Sequence, residues 1–194
     1  MVLENNTPLA CQDGLLTGIA YRLSPNQDLR PNSEDISGIV IHNISLPPGE
    51  FGGGWIDALF LNKLDPKAHP YFEKIADMKV SAHVLIRRDG EIIQYVPFHQ
   101  RAWHAGVSCW EGRERCNDFT IGIELEGCDD QRFEPQQYRA LVEVILCLCR
   151  TYPKLTPKTI TGHQDIAPDR KTDPGPYFDW VYLSDALSQY GSDV

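Results

Sequence analysis

One long amphipathic segment constrains the fold more than any other part of the chain. In EPQQYRALVEVILCLCRTYP, residues 134–153, apolar positions recur at helical spacing and form one continuous stripe: Tyr138, Leu141, Val142, Ile145, Leu148 and Tyr152. Pro153 cannot continue a helix, so the pattern predicts that the helix ends there. A helix with a single apolar face needs a surface against which that face can be buried.

Several apolar-rich runs predict a sheet that can supply this surface. SGIVIHNIS, residues 37–45, has the β-branched composition of a buried strand, and KTITGH, residues 158–163, predicts a short one. In KVSAHVLIRRDGEIIQYVP, Asp89-Gly90 separates two apolar-rich runs and predicts a hairpin turn. DFTIGIELEG predicts a further strand, with Ile121, Ile123 and Leu125 on one face and Thr120, Gly122, Glu124 and Glu126 on the other.

These segments predict an α/β (mixed α+β) fold with a central mixed β-sheet of about four to six strands, flanked by helices. Further helices are expected over residues 55–64 and 178–187. The chain has 194 residues, of which 42% are hydrophobic and 23% charged, a composition that suits one domain spanning 1–194. Residues 1–36 are polar and rich in turn residues, and they predict an irregular N-terminal arm.

The charge of the chain excludes some classes of partner. The formal net charge is −9 without a Lys/Arg block, so neither nucleic acid nor an anionic membrane is an expected partner. No window of about 18 apolar residues predicts a membrane span. MVLENNTPLACQDG lacks an early basic residue and a long apolar run, so no secretory signal is expected. A cytoplasmic location and free thiols at all six cysteines follow as expectations.

Two histidines and a later acid predict a metal site. His42 and His163 both end predicted strands, and Asp173 follows across the loop TGHQDIAPDRKTDPGP, residues 161–176. Two imidazoles and one carboxylate form a three-ligand zinc set that leaves one position open. The prolines of the loop would hold the carboxylate in one place. Lys171 would then lie near the metal, where it can stabilise an oxyanion.

Spacing alone leaves alternatives open. Asp165 and Asp169 are acids as available as Asp173, and a histidine at a strand end is more often structural than a ligand. Glu124 and Glu126 share one face, where one can serve as a general base or both can be edge-strand charges.

Two further motifs have both a structural and a functional interpretation. The Trp103-His104 pair either covers the core or offers an indole face to a sugar. Arg115 lies in GRERCND, where it is either a surface charge or a clamp for a carboxylate.

Taken together, six motifs resemble one enzyme family in order and spacing, over about residues 39–180: VIHNISLPPGEFGG, HPYF, VSAHVLIRRDGEIIQYVPF, RAWHAGVS, GRERCNDFTIGIELEG and TGHQDIAPDRKTDPGP. The chain resembles the cytosolic 1,6-anhydro-N-acetylmuramyl-L-alanine amidases of peptidoglycan recycling. They belong to the zinc amidase superfamily of the phage-lysozyme-type amidases and the peptidoglycan recognition proteins. The resemblance implies the fold of that superfamily and a single zinc amidase domain.

The resemblance also implies roles for individual residues. It places one Zn²⁺ ion per chain on His42, His163 and Asp173, and catalysis on Glu124 and Lys171. It places contacts to the muropeptide on Asn43, Trp103, Arg115, Lys79 and His104. For His83 and His104 we expect roles behind the metal ligands or along the pocket rather than ligation, since a fourth protein ligand would close the site.

The sequence departs from its relatives at positions that help to assign the branch. The phage-lysozyme branch has Tyr before the strand histidine and Cys at the third ligand position, where this chain has Ala82 and Asp173. Lys79 stands where Arg is frequent, which loses a bidentate contact to a carboxylate.

The activity implied by the resemblance is hydrolysis of the amide bond between the lactyl group of 1,6-anhydro-N-acetylmuramic acid and L-Ala of the stem peptide. An anhydromuropeptide is the expected substrate, and a monomer is the expected state. Two alternatives remain open: a muropeptide-binding module without catalysis, and a wall-lytic amidase that acts on polymeric peptidoglycan.

Overall fold

The computed structural model describes residues 8–190, and a six-stranded sheet organises this part of the chain. Its strands are β3 (Ala20–Tyr21), β5 (Gly38–Ile44), β6 (Val84–Ile86), β7 (Ile92–Gln94), β11 (Thr120–Glu126) and β12 (Ile160–Gly162). They lie side by side in the order β12-β5-β11-β6-β7-β3. The sheet is mixed, because β12, β5, β11 and β6 run parallel while β6 and β7 form an antiparallel hairpin. The predicted central mixed sheet is confirmed.

Six further strands pair outside the central sheet. They form three antiparallel pairs: β1 (Cys11–Gln12) with β2 (Leu15–Leu16), β4 (Gln27–Leu29) with β8 (Gln100–Ala102), and β9 (Cys109–Trp110) with β10 (Arg113–Glu114). The described part of the N-terminal arm therefore differs from the irregular segment that its polar sequence predicts. It contains four short strands, and β3 pairs with β7 at the sheet edge. Residues 1–7 of the arm lie outside the described residues.

Helices cover both faces of the sheet. They are α1 (Trp55–Phe60), α2 (Pro135–Thr151), α3 (His163–Ile166) and α4 (Trp180–Tyr190), with 3₁₀ turns at Phe72–Lys74 and Cys116–Asp118. Helix α1 is shorter than the predicted 55–64, since Asn62 takes a positive φ of 57° just beyond it. Among these helices of residues 8–190, none combines the length and the apolar character needed to cross a bilayer.

The apolar stripe of α2 packs against one face of the sheet, as its spacing predicts. Leu141, Ile145 and Leu148 join the core cluster that contains Ile121 and Ile123 of β11. Gln137 also ties the helix to the sheet, because its side-chain amide donates to the carbonyl groups of Ile86 and Glu126. The opposite face of β11 is left for the chemistry described below.

A buried arginine fastens the N-terminal arm to the rest of the molecule. Arg30 is 6% exposed, and no carboxylate of the described residues lies within ion-pair distance of it. Its guanidinium donates instead to the backbone carbonyls of Phe98, Asn117, Asp118 and Thr120. Burial lowers the pKa of Arg30 to about 10, so it remains charged at neutral pH.

Replacing Arg30 by methionine is expected to lower the free energy of unfolding by about 3 kcal/mol, because buried carbonyls lose their donor. Denaturant unfolding monitored by circular dichroism measures the change. Arg139 lies exposed on α2, so Arg139→Met is a control that should change stability by less than about 0.5 kcal/mol. Equal stabilities for the two variants would contradict the role assigned to Arg30.

Candidate metal centre and active site

Strand register brings distant residues together at the carboxyl edge of the parallel strands. Glu124 of β11 lies opposite His42 of β5, and Gly162 of β12 lies opposite Ile41. His163 follows Gly162 directly and begins α3, which places it beside His42. Side chains presented at this edge of a parallel sheet meet in one crevice, as in other open α/β sheets.

The loop after α3 returns its carboxylate to the same point. The backbone N–H of Gln164 donates to the carbonyl of Asp173 at 2.9 Å, which holds the far end of the loop against the start of the helix. Asp165 serves another purpose, because its Oδ2 accepts the backbone N–H of Gly162 at 3.0 Å. Among the three acids that spacing left open, Asp173 is the one that contacts both histidines.

Three side-chain atoms form a nearly equilateral triangle. His42 Nδ1 and His163 Nδ1 lie 2.9 Å apart, and Asp173 Oδ2 lies 3.0 Å from the first and 2.9 Å from the second. Hydrogen bonds cannot satisfy all three edges, since a proton on one imidazole nitrogen points along only one of them. A cation that faces the lone pairs of all three atoms can satisfy them together. Two imidazoles and one carboxylate are a donor set that zinc accepts. The three residues therefore fit a metal ion.

The remaining nitrogens of both rings have partners of their own. His163 Nε2 donates to the carbonyl of Ala105 at 3.2 Å, which leaves Nδ1 without a proton. His42 Nε2 lies 2.9 Å from Nδ1 of His104. Burial lowers the pKa of His42 to about 4, so this ring is neutral near pH 7.

A cavity of about 320 Å³ opens beside the triangle. It is large enough for a small-molecule substrate. Glu124 and Lys171 are among its polar lining residues, and Leu59, Tyr71 and Met78 form part of an apolar wall. Sequence reasoning missed that wall, because the segment before β6 carries no regular pattern to place it near the site.

Glu124 and Glu126 have different surroundings although they share one face of β11. Glu124 is partly buried, and its Oε2 is buried without a hydrogen-bond partner among the described residues. Burial, followed by the nearby Asp173 carboxylate, raises the pKa of Glu124 well above its ordinary value, while Lys171 opposes the rise. Glu126 instead accepts the backbone N–H of Gly52 and pairs with Arg87. Since β11 is a central strand, neither is an edge-strand charge.

The residues expected to contact substrate do not all reach the cavity. Asn43, Trp103 and His104 line it, whereas Lys79 and Arg115 are exposed outside its lining. Arg115 forms an ion pair with Asp118 at 3.2 Å and is 70% exposed. The substrate contacts assigned to these five residues stay predictions.

Asn43 has a structural task that spacing did not reveal. Its amide nitrogen donates to Asp129 Oδ1 at 2.7 Å and to the carbonyl of Pro174 at 3.0 Å. The second bond braces the residue next to Asp173. Asp129 itself carried no sequence signal, because it lies in a loop far from both partners along the chain.

His83 lies behind the site rather than in the triangle. Its Nδ1 accepts the backbone N–H of Gly122 at 3.0 Å, and its Nε2 lies 3.1 Å from the carbonyl of Gln100 and 3.0 Å from a guanidinium nitrogen of Arg30. Burial lowers the pKa values of His83 and His104 well below 6.5. Neither histidine belongs to the triangle of donor atoms, and the roles expected for both stay predictions.

The lowered pKa values of three buried histidines determine how the stability of the protein should depend on pH. The folded-state pKa values of His42, His83 and His104 lie below the unfolded value of about 6.5. As pH falls below 6.5 the unfolded chain takes up protons that the folded chain does not, so stability falls by up to about 1.4 kcal/mol per pH unit for each group. The raised pKa of Glu124 acts in the opposite direction, but for one group only.

We expect the metal-free protein to be less stable at pH 5 than at pH 7. Urea unfolding at the two pH values measures the difference, and Glu124→Gln should steepen the loss because it removes the opposing group. Equal stability at both pH values would contradict the assignment of neutral, buried imidazoles.

Comparisons with known proteins show which family the chain resembles. A family model described as N-acetylmuramoyl-L-alanine amidase matches residues 32–176. The 1,6-anhydro-N-acetylmuramyl-L-alanine amidase AmpD of Escherichia coli (strain K12) is 61% identical over 170 residues, covering 88% of this chain and 92% of that protein. AmpD of Citrobacter freundii is 63% identical over 158 residues, covering 81% of this chain and 84% of that protein.

A solved structure extends the likeness to three dimensions. The crystal structure of a selenomethionine derivative of AmpD superposes with a TM-score of 0.90 at 56% identity, and the match covers 92% of this chain and 99% of that one. The resemblance drawn from the sequence motifs and the expected amidase-like fold are both confirmed. With the family model covering most of the chain, and with relatives near 60% identity over almost their whole length, the chain belongs to the N-acetylmuramoyl-L-alanine amidase family.

Proposed function

We propose that this amidase is a zinc enzyme, and that it hydrolyses the bond between the lactyl carbonyl of 1,6-anhydro-N-acetylmuramic acid and L-Ala of the stem peptide. The observation that carries the proposal is the triangle of His42, His163 and Asp173 beside Glu124, whose Oε2 has no hydrogen-bond partner within residues 8–190. The AmpD relatives are named for this substrate. A 29% identical structure, TM-score 0.59, is the E. coli amidase AmiD in complex with anhydro-N-acetylmuramic acid-L-Ala-D-γ-Glu-L-Lys; the match covers 92% of this chain and 65% of that one.

The donor set leaves room for the chemistry of hydrolysis. When bound by these three residues, zinc would supply Lewis acidity, lowering the pKa of water towards about 7 and polarising the scissile carbonyl. His42 and His163 present their Nδ1 atoms because their Nε2 atoms are engaged elsewhere. Asn43 holds the carbonyl of Pro174, which steadies the neighbouring Asp173.

Glu124 is the proposed general base. Its buried Oε2 lacks a partner among the described residues, and its raised pKa favours taking up a proton from water and passing it to the leaving amine. Lys171 lines the same cavity, where its ammonium group stabilises negative charge that develops on the carbonyl oxygen.

The proposal also covers the oligomeric state and the cellular location of the protein. All proposed site residues come from one chain, so the site requires no second copy, and we propose that a monomer acts as a single domain on soluble muropeptides in the cytoplasm. Light scattering at micromolar protein concentration tests the monomer, and a fluorescent fusion of the full chain tests the location.

A two-substrate assay tests the activity. The purified protein, with its zinc content measured, is incubated with an anhydromuramyl-tripeptide or with intact sacculi, and released peptide is quantified by mass spectrometry. Rapid release from the small substrate only, lost with a chelator and restored by Zn²⁺, is the expected result. Equal release from sacculi would indicate a wall-lytic amidase instead. Absence of release from either substrate by the zinc-loaded protein would overturn the proposed activity and leave a binding module.

A further inference from the structure

A chain of hydrogen bonds runs from the metal triangle into the protein behind it. His42 Nε2 lies 2.9 Å from His104 Nδ1, and His104 Nε2 lies 3.3 Å from the hydroxyl of Thr120. That hydroxyl lies 2.7 Å from the backbone carbonyl of Cys116. Among these groups the carbonyl alone has a fixed role, because it can only accept.

The direction of every bond follows from that carbonyl. Thr120 has one proton and donates it to Cys116, so its oxygen accepts from Nε2–H of His104. A neutral His104 then has a bare Nδ1, which accepts from Nε2–H of His42. A neutral His42 with its proton on Nε2 presents a bare Nδ1 to His163 and Asp173, as a metal ligand requires.

The position of the His104 ring is built into the sheet. The ring lies directly on the backbone of β11 at Gly122, where a β-carbon would come within 2.4 Å of the imidazole Cγ. Gly122 itself is held by His83, which accepts its N–H at 3.0 Å. The backbone N–H groups of His104 and Ala105 both donate to the side-chain oxygen of Asn117, which fixes the segment that carries the ring.

We propose that His104 is a positioning residue that, through Thr120 and the carbonyl of Cys116, fixes the tautomer of His42 and so sets the affinity of the site for zinc. The inference rests on the proposed function, because it concerns the same metal site. It assigns His104 to the protein side of the site rather than to contact with the muropeptide. Partners behind a metal ligand typically change metal affinity by about 10- to 100-fold.

A matched pair of substitutions isolates the hydrogen bond. Asparagine and leucine have nearly the same shape, but only asparagine carries an acceptor close to the position of Nδ1. Zinc affinity is measured by competition with a chromophoric chelator at constant pH. We expect His104→Leu to bind zinc about 10- to 100-fold more weakly than the wild type. His104→Asn removes the same ring but should bind zinc more tightly than His104→Leu, because it keeps an acceptor close to the position of Nδ1.

A second pair tests the far end of the chain. Thr120→Val keeps the shape of the side chain and removes the acceptor for Nε2–H, so zinc affinity should fall, whereas Thr120→Ser should keep it. His99 is exposed and lies outside the cavity, so His99→Ala should bind zinc like the wild type. Circular dichroism and thermal unfolding of each variant show whether it is folded.

The wild-type protein provides a readout that needs no substitution. Long-range ¹H–¹⁵N spectra of the metal-free protein report which ring nitrogen of His42 carries the proton, and the expected answer is Nε2. A proton on Nδ1, or equal zinc affinities for His104→Leu and His104→Asn, would overturn the inference. If the wild type binds no zinc, the proposed function fails, while the tautomer spectrum still decides the hydrogen-bond chain.

Discussion

Alanine in place of His163 is expected to eliminate stoichiometric zinc binding and to lower kcat/KM for an anhydromuramyl-tripeptide by at least about 10³-fold. Without His163 only two donors remain, His42 and Asp173, and they are too few for a stable zinc site. Lewis-acid stabilisation contributes several kcal/mol, and each 1.4 kcal/mol corresponds to a tenfold change in rate.

The fold should tolerate this substitution. The carbonyl of Ala105 loses the bond from His163 Nε2, but it still accepts from Arg170 at 2.7 Å. The carbonyl of Ala105 therefore keeps a donor, and the metal-free variant should remain folded, with a midpoint lowered by the cavity that the smaller side chain leaves. Metal content by mass spectrometry and single-substrate kinetics measure the two effects, with His99→Ala as the control. A His163→Ala variant that retains one zinc ion and a wild-type rate would refute the metal site.

Glu124→Gln is expected to lower the hydrolysis rate by about 10²- to 10⁴-fold while zinc remains bound. Glutamine has nearly the same size, yet it cannot accept a proton from water at neutral pH. The loss should appear in kcat, because the substituted group acts on the reacting atoms.

The same substitution should stabilise the metal-free protein at neutral pH. Since the folded-state pKa of Glu124 is raised above the unfolded value, ionisation at higher pH favours the unfolded chain, and glutamine removes that effect. Active sites commonly carry such a conflict between function and stability.

Glu126→Gln is the matched control on the same strand face. Glu126 is 2% exposed and pairs with Arg87 and the N–H of Gly52, so its neutralisation should lower stability and leave the rate per folded molecule near that of the wild type. Thermal unfolding and steady-state kinetics of both variants should therefore give opposite results. If Glu124→Gln keeps wild-type activity, another group must be the base.

Local patterns in the sequence were sufficient for the main elements of the fold. The stripe of α2, the alternation of β11 and the Asp89-Gly90 turn each depend on residues a few positions apart, and the structure contains all three. The amidase family also followed from the sequence, because six motifs in order carry more information than any single spacing. The sequence likewise singled out the residues that the structure brings together as His42, His163 and Asp173.

Contacts between segments far apart in sequence could not be predicted from local patterns, and only the tertiary structure defines them. Alternation places Glu124 and Glu126 on one face, but only the positions of Arg87 and Gly52 distinguish an ion-paired carboxylate from a free one. The same holds for Arg115, whose sequence context does not show that it pairs with Asp118 outside the lining of the cavity.

The strands of the N-terminal arm and the hydrogen bonds through His104 also depend on contacts between segments that are far apart in sequence. Strand β3 joins the sheet through pairing with β7, far along the chain, so its two residues, Ala20 and Tyr21, gave no local signal. His104 meets His42 and Thr120 because β5 and β11 are adjacent and Gly122 leaves space for the ring. Periodicity is a property of residues that are neighbours in the sequence. A metal site and the tautomers of its histidines depend instead on strand register, which only the folded chain defines.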